Sequence, residues 1–136
     1  MITLQTDGVE MLVLDKTHLQ RWIGAVAASY GFAVGKINYI FCSDERELEV
    51  NRQFLGHDYY TDVITFDYSS EHVLSGDIFI SLDTVRSNAE QIGTTFENEL
   101  YRVLIHGVLH LTGQEDKTPD AHAEMTRKED LALEML

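Results

Sequence analysis

The sequence predicts an α+β fold, a small mixed β-sheet packed against helices with one very apolar helix at the centre of the core. Three observations carry this. Segments rich in β-branched and aromatic residues fall mostly in the middle of the chain. Stretches with helical spacing stand before and after them. One helical stretch, from Thr95 to Gly113, is apolar on most sides from Val103 onward.

The elements follow in order. Met1 to Gln5 reads as a short strand ended by Thr6-Asp7-Gly8. Leu19, Trp22, Ile23, Val26 and Ala27 recur at helical spacing within Lys16 to Tyr30, and Gly31 supplies the stop. Lys36 to Cys42 reads as a strand. Ser43 is an N-cap candidate, with Glu45, Glu47 and Glu49 early in a helix that reaches about Phe54. Asp62 to Tyr68 and Gly76 to Ser81 are strands around a polar Ser69-Ser70-Glu71 turn. Asp83 to Ile92 is a helix closed by Gly93. Thr95 opens the apolar helix, with Asn98 or Glu99 where a capping partner belongs. A loop around Pro119 leads to a last helix, Ala121 to Met135.

With 136 residues the chain suits one domain, residues 1–136, and one core. Asp and Glu number 23 against 10 Lys and Arg, a net charge of −13. That excess argues against wide, nonspecific wrapping of a polyanion, but not against a small cleft whose field is set by a metal ion or a few arginines. The single cysteine, Cys42, forms no internal disulfide, which fits a reducing compartment. No basic-then-apolar leader and no long apolar run is present, so a soluble, cytoplasmic protein with no membrane partner is expected.

Chemistry is concentrated between His106 and Asp116. His106 and His110 are one helical turn apart, so both imidazoles project from one face. Gly113 can end the helix in a left-handed conformation and turn the chain back. Asp116, six residues past His110, then reaches the same point. Two imidazoles and one carboxylate with an open position make the donor set of a catalytic zinc site, with one Zn2+ per chain. Left unpaired in so apolar a segment, the two histidines would be costly to bury. His122 is the replacement if Asp116 is not the third ligand.

The intervals also match the long zinc-protease motif, which makes this a zincin-like metal helix. The glutamate general base of that motif is replaced by Gly107. Glu115 and Glu99 are the substitutes at hand, and a zinc metallopeptidase is therefore the second reading. With no side chain, Gly107 leaves the cleft open to a bulky phosphate.

Taken with its surroundings, the segment resembles the YbeY family of bacterial endoribonucleases. That family's hallmark is His-Gly-x-Leu-His-Leu-x-Gly followed by a third ligand, and His106 to Gly113 reproduces it. Val50-Asn51-Arg52-Gln53-Phe54 is similar to the family's Leu-Asn-x-x-aromatic segment. Thr61-Asp62-Val63-Ile64-Thr65-Phe66 and Gly76-Asp77-Ile78-Phe79-Ile80-Ser81 are similar to its two strand blocks. The order and spacing agree from about Glu47 to Glu129. Three positions depart. Asp116 stands where the family usually has a third His, Leu55 where it usually has an arginine thought to hold phosphate, and Tyr60 where a Pro is common.

The resemblance implies a single-strand-specific, metal-dependent endoribonuclease acting in ribosomal RNA maturation, at the small-subunit 3′ end, and in ribosome quality control. Its partners would be single-stranded or ribosomal RNA and basic proteins of the small subunit. Zinc on His106, His110 and Asp116 would lower the pKa of a bound water to about 7 and stabilise charge on a phosphoryl oxygen. Attack by the resulting hydroxide and attack by the ribose 2′-OH both fit. A non-catalytic ribosome-assembly module with a structural metal is a third reading, kept open by Leu55.

Other residues carry expectations of their own. Arg52, one turn before Leu55, is the candidate substitute for the missing arginine and joins His106 and His110 in the expected catalytic set. Thr65, polar in an apolar strand, completes that set by lining the cleft under the metal, unless it is simply a good strand former. Arg102 is a second phosphate candidate, though most arginines on such helices, Arg52 included, are solvated or in surface ion pairs. Asp62 and Asp77 read first as turn or cap carboxylates, with a hydrogen bond to a ligand histidine as the alternative. Glu99 shares the His106 helix face about 10 Å away and reads as a cap or surface residue. Phe54, Tyr59 and Tyr60 are base-stacking candidates or ordinary packing. His18, His57 and His72 lack ligand spacing.

Overall fold

The computed structural model describes residues 1–55 and 63–136. The expectations placed on His57, Tyr59, Tyr60 and Asp62, and on the side chains of Phe54 and Leu55, lie outside the described residues. The element order is β1 (Ile2–Asp7), α1 (Lys16–Ser29), β2 (Ala33–Cys42), α2 (Asp44–Val50), a π-helical turn (Asn51–Leu55), β3 (Val63–Asp67), β4 (Val73–Ser81), α3 (Leu82–Ile92), α4 (Phe96–Leu111) and α5 (Pro119–Glu134). The strands form one mixed sheet in the order β1-β2-β4-β3, with β1–β2 and β2–β4 parallel and β3–β4 antiparallel.

Two-residue alternation decides which face is covered. Ile37, Tyr39 and Phe41 of β2 pair in register with Gly76, Ile78 and Ile80 of β4, and all six are buried. Paired residues point to the same side of a sheet, so these build one apolar face. α4 covers it. The buried Tyr39 hydroxyl donates to the Leu104 carbonyl at 2.8 Å, and a Cβ placed on Gly76 would lie 3.0 Å from Leu111 Cδ2. α4 therefore runs antiparallel to β4, with the histidine-bearing stretch between these two contacts. Burial pushes the Tyr39 hydroxyl well above its ordinary pKa, so it stays a donor.

The remaining helices close the core. The Trp22 indole N–H of α1 donates to the Ala132 carbonyl of α5 at 2.7 Å, and its ring meets Tyr101 of α4 edge-on at 5.6 Å. Three helices are thus tied together through one side chain. Caps fall where the sequence placed them: the Ser43 hydroxyl accepts from the Arg46 amide and the Thr95 hydroxyl from the Asn98 amide. Cys42 is buried and its thiol is pushed up to about 12 by burial, with Glu47 and Asp7 adding to the effect. It takes no part in the site.

Several boundaries differ from the expectation. β1 continues through Asp7, because Thr6 and Asp7 find partners in Phe41 and Cys42. β2 and β4 begin earlier, at Ala33 and Val73, where a register shift between Val34 and Ile37 lets both ends pair. The predicted helix from Ser43 to Phe54 is two pieces, since the α-helix ends at Val50 and gives way to the π-helical turn. No described helix is long and apolar enough to cross a membrane.

Candidate metal centre

The sequence at the end of α4 dictates where its functional groups converge. Gly113 adopts φ 99°, the left-handed conformation that only glycine enters readily, and its amide bonds back to the His110 carbonyl at 3.0 Å. The chain reverses there. It then runs to Thr118, whose hydroxyl caps α5 by accepting from the Ala121 amide at 3.1 Å, with Pro119 in the first turn. Asp116 lies on this reversal and faces back toward α4.

His106 Nε2 lies 3.4 Å and His110 Nε2 3.6 Å from Asp116 Oδ2. The two rings stand nearly perpendicular, with centroids 4.5 Å apart. One donor atom from each of the three residues falls within 4.8 Å of the others, and among the described residues this is the one such gathering of His, Cys, Asp or Glu. All three side chains are partly open to solvent, at 16%, 26% and 30%. His122 is exposed and stands apart from the gathering.

The other ring nitrogens are spoken for. His110 Nδ1 lies 2.9 Å from the Gln114 carbonyl oxygen, and His106 Nδ1 lies 2.6 Å from Glu129 Oε2. A carbonyl or carboxylate oxygen accepts only, so each Nδ1 is the donor, and Nε2 is then the nitrogen whose lone pair the neutral ring offers to a metal. Two neutral imidazole nitrogens and one carboxylate oxygen facing a common, partly open point are a fitting donor set for a divalent transition metal.

Behind the histidines lies a network that sequence spacing did not reveal. Glu129, on α5, is only 6% exposed. Arg102 donates to its Oε1 at 2.8 Å and to Asp130 Oδ1 at 2.7 Å. Burial works against the Arg102 charge, but the hydrogen bonds to Asp130 and Glu129 more than offset it and raise its pKa. Arg102 is therefore engaged by two carboxylates, the ion-pair alternative to a phosphate contact. Glu99 corrects another: it is 5% exposed, not a surface residue, and lines a cavity of about 150 Å³ with Arg102, His106, His122 and Glu129.

Gly107 requires the clearest correction. It does not face an open cleft. A Cβ there would lie 2.9 Å from Ile78 Cγ2 and 3.0 Å from its Cδ1, so the glycine lets α4 lie directly on β4. A glutamate general base at this position would be driven into the sheet, so position 107 could not supply the base of the zinc-protease motif.

Asp77 accepts from the Asn38 side-chain amide at 2.8 Å across β2 and β4, which makes it a sheet cross-link and not a partner of a ligand histidine. Thr65 pairs with Ile78, so its side chain lies on the sheet face covered by α4. Its hydroxyl oxygen is buried without a hydrogen-bond partner among the described residues. Arg52 is exposed on the π-helical turn, an element separate from α4 and its reversal.

Comparison with known proteins finds similarity over nearly the whole chain. A family model described as Endoribonuclease YbeY matches residues 5–136. The Endoribonuclease YbeY of Bacteroides thetaiotaomicron is 58% identical over 134 residues, covering 98% of each chain. That of Phocaeicola vulgatus is 56% identical over 136 residues, covering 100% of this chain and 99% of its own. The solution structure of TM1509 from Thermotoga maritima is similar with a TM-score of 0.66 and 30% identity, over 99% of this chain and 88% of that one.

Proposed function

Because this chain belongs to the endoribonuclease YbeY family, we propose that it is a zinc-dependent endoribonuclease that cuts single-stranded RNA during ribosomal RNA maturation, at the small-subunit 3′ end, and in ribosome quality control. The observation that carries the metal-dependent part is the meeting of His106 Nε2, His110 Nε2 and Asp116 Oδ2 at one partly open point. The whole chain, 1–136, acts as one catalytic unit.

When bound, a zinc ion supplies Lewis acidity: it acidifies water and stabilises negative charge on a phosphoryl oxygen. The protein's own residues do the rest. His106 and His110 present lone pairs held in place by the bonds at their Nδ1 atoms. Asp116 completes the donor set and leaves one side open for the phosphodiester. Arg52 supplies a cation for a neighbouring phosphate. Arg46, Arg86, Arg102 and Arg127 are each engaged in an ion pair with a carboxylate, and the chain carries 10 Lys and Arg in all. The salt dependence of RNA binding is therefore shallow, corresponding to few released counterions. The acidic remainder suits docking on basic proteins of the small ribosomal subunit.

The test is cleavage of a single-stranded RNA containing the small-subunit 3′ end, before and after stripping by a chelator and after zinc is restored. Activity that disappears and returns supports the proposal. Undiminished cleavage by the stripped protein contradicts it.

Thr65 takes its place in the catalytic set as a hydroxyl under the metal helix. The isosteric change Thr65→Val removes an unsatisfied buried hydroxyl, so stability should hold or rise by about 1 kcal/mol. RNA turnover should nevertheless fall. A urea melt alongside a single-turnover assay reads both, and unchanged turnover would return Thr65 to the role of strand former.

A further inference from the structure

We infer that Glu129 is a positioning residue for the metal site, held in turn by Arg102, so that α5 is coupled to metal binding. This rests on the reading of His106 as a metal ligand. It adds a residue 23 positions further along the chain, on a helix that carries none of the three donors.

Geometry supports it from both sides of the carboxylate. Glu129 Oε2 lies 2.6 Å from His106 Nδ1, and Glu129 Oε1 takes the Arg102 guanidinium at 2.8 Å. One carboxylate therefore bridges α5 to two points on α4, one turn apart. Its side chain is 9% exposed, so neither contact is easily replaced by water. The Arg102 guanidinium pairs with the other oxygen of the same carboxylate, which holds Glu129 in place against the imidazole. The bond to Nδ1 fixes both the tautomer and the tilt of the ring, and so aims Nε2 at Asp116.

The pair at His110 shows why this arrangement matters. His110 is oriented by a backbone carbonyl from its own reversal, at Gln114. That support is local and survives whatever α5 does. His106 depends on a side chain delivered by a separate helix, which is anchored elsewhere by packing, by the Trp22 bond to Ala132, by the Gln114 side-chain bond to the Ala121 carbonyl and by the Arg102 bond to Asp130. Undocking of α5 would release one of the two imidazoles. By linkage, a metal that holds His106 in the docked geometry strengthens the docking of α5.

Zinc affinity of the full chain, measured by competition with a chromophoric chelator well below the melting temperature, tests this. Glu129→Ala and Glu129→Gln should each weaken zinc binding by about 10- to 100-fold while the far-ultraviolet circular dichroism stays unchanged. Arg102→Met should weaken it less, because the carboxylate remains in reach of the ring. Hydrogen exchange of the unmutated protein gives an independent reading: zinc should slow exchange of the α5 amides. Undiminished zinc affinity in folded Glu129 variants overturns the inference and leaves the metal site standing. If those variants do not fold, α5 exchange that is indifferent to zinc overturns it instead. An unmutated chain that takes up no zinc overturns both readings together.

Discussion

Replacing either His106 or His110 by alanine should abolish RNA cleavage while leaving the protein folded. The physical basis is that both rings sit on the rim of the core, 16% and 26% exposed, so their loss opens no large internal cavity. The helix that carries them is held by Leu104, Ile105, Val108 and Leu109, all fully buried, and alanine is the best helix former available. What disappears is one of three donors. Loss of a group that merely orients a ligand costs about 10- to 100-fold in metal affinity, and loss of the ligand itself should exceed that. The His106 variant carries a second consequence that the His110 variant lacks. It leaves Glu129 facing Arg102 alone, so its melting temperature should fall further. Zinc titration, circular dichroism and cleavage of a single-stranded RNA distinguish the cases. A folded alanine variant with undiminished cleavage would contradict the assignment.

The second large effect is expected at Gly107. Gly107→Glu restores the general base of the zinc-protease motif on paper, yet it should yield a destabilised protein with no peptidase activity. The new Cβ alone meets Ile78 at 2.9 and 3.0 Å, so α4 must lift from β4 or Ile78 must move. Overpacking of this kind costs about 1–3 kcal/mol. Forcing a carboxylate into the same apolar contact adds a desolvation penalty of at least about 2 kcal/mol. Because α4 carries both histidines, the displacement should also weaken metal binding. Gly107→Ala isolates the steric part, and combining it with Ile78→Ala should cost less than the sum of the two single changes. Urea denaturation with added zinc measures all of these. A stable Gly107→Glu protein that cleaves peptides would reverse the reading of this position.

How far these features were legible in the sequence depends on the distance over which they act. The helix of His106 and His110 and the reversal at Gly113 that brings in Asp116 are local, and spacing alone was enough to place them together. Caps at Ser43 and Thr95 were legible for the same reason. Glu129 was not: it sits 23 residues past His106 in a helix whose Arg, Lys, Glu and Asp look like an ordinary solvated face. Only the docking of α5 onto α4 distinguishes it from Asp130, its exposed neighbour. Arg102 was left open between a phosphate contact and an ion pair, because a helical arginine gives no sign of which partners another element will bring. Gly107 was misread because a missing side chain fits an open cleft and a tight contact equally well, and only the position of Ile78 decides between them. Strand ends were short by a few residues where pairing with β2 or β4, not local propensity, set the limit.

The charge of −13 that argued against a nucleic-acid enzyme takes a different meaning once the ion pairs are assigned. The arginines are largely occupied in holding carboxylates, so a substrate phosphate would be held by the metal and a few remaining cations. Everything then turns on whether a metal occupies the three-donor point. Anomalous scattering at the zinc edge from crystals of the native protein answers this: one peak per chain should lie between His106 Nε2, His110 Nε2 and Asp116. A native protein with no peak there, or with its zinc on other residues, would contradict it.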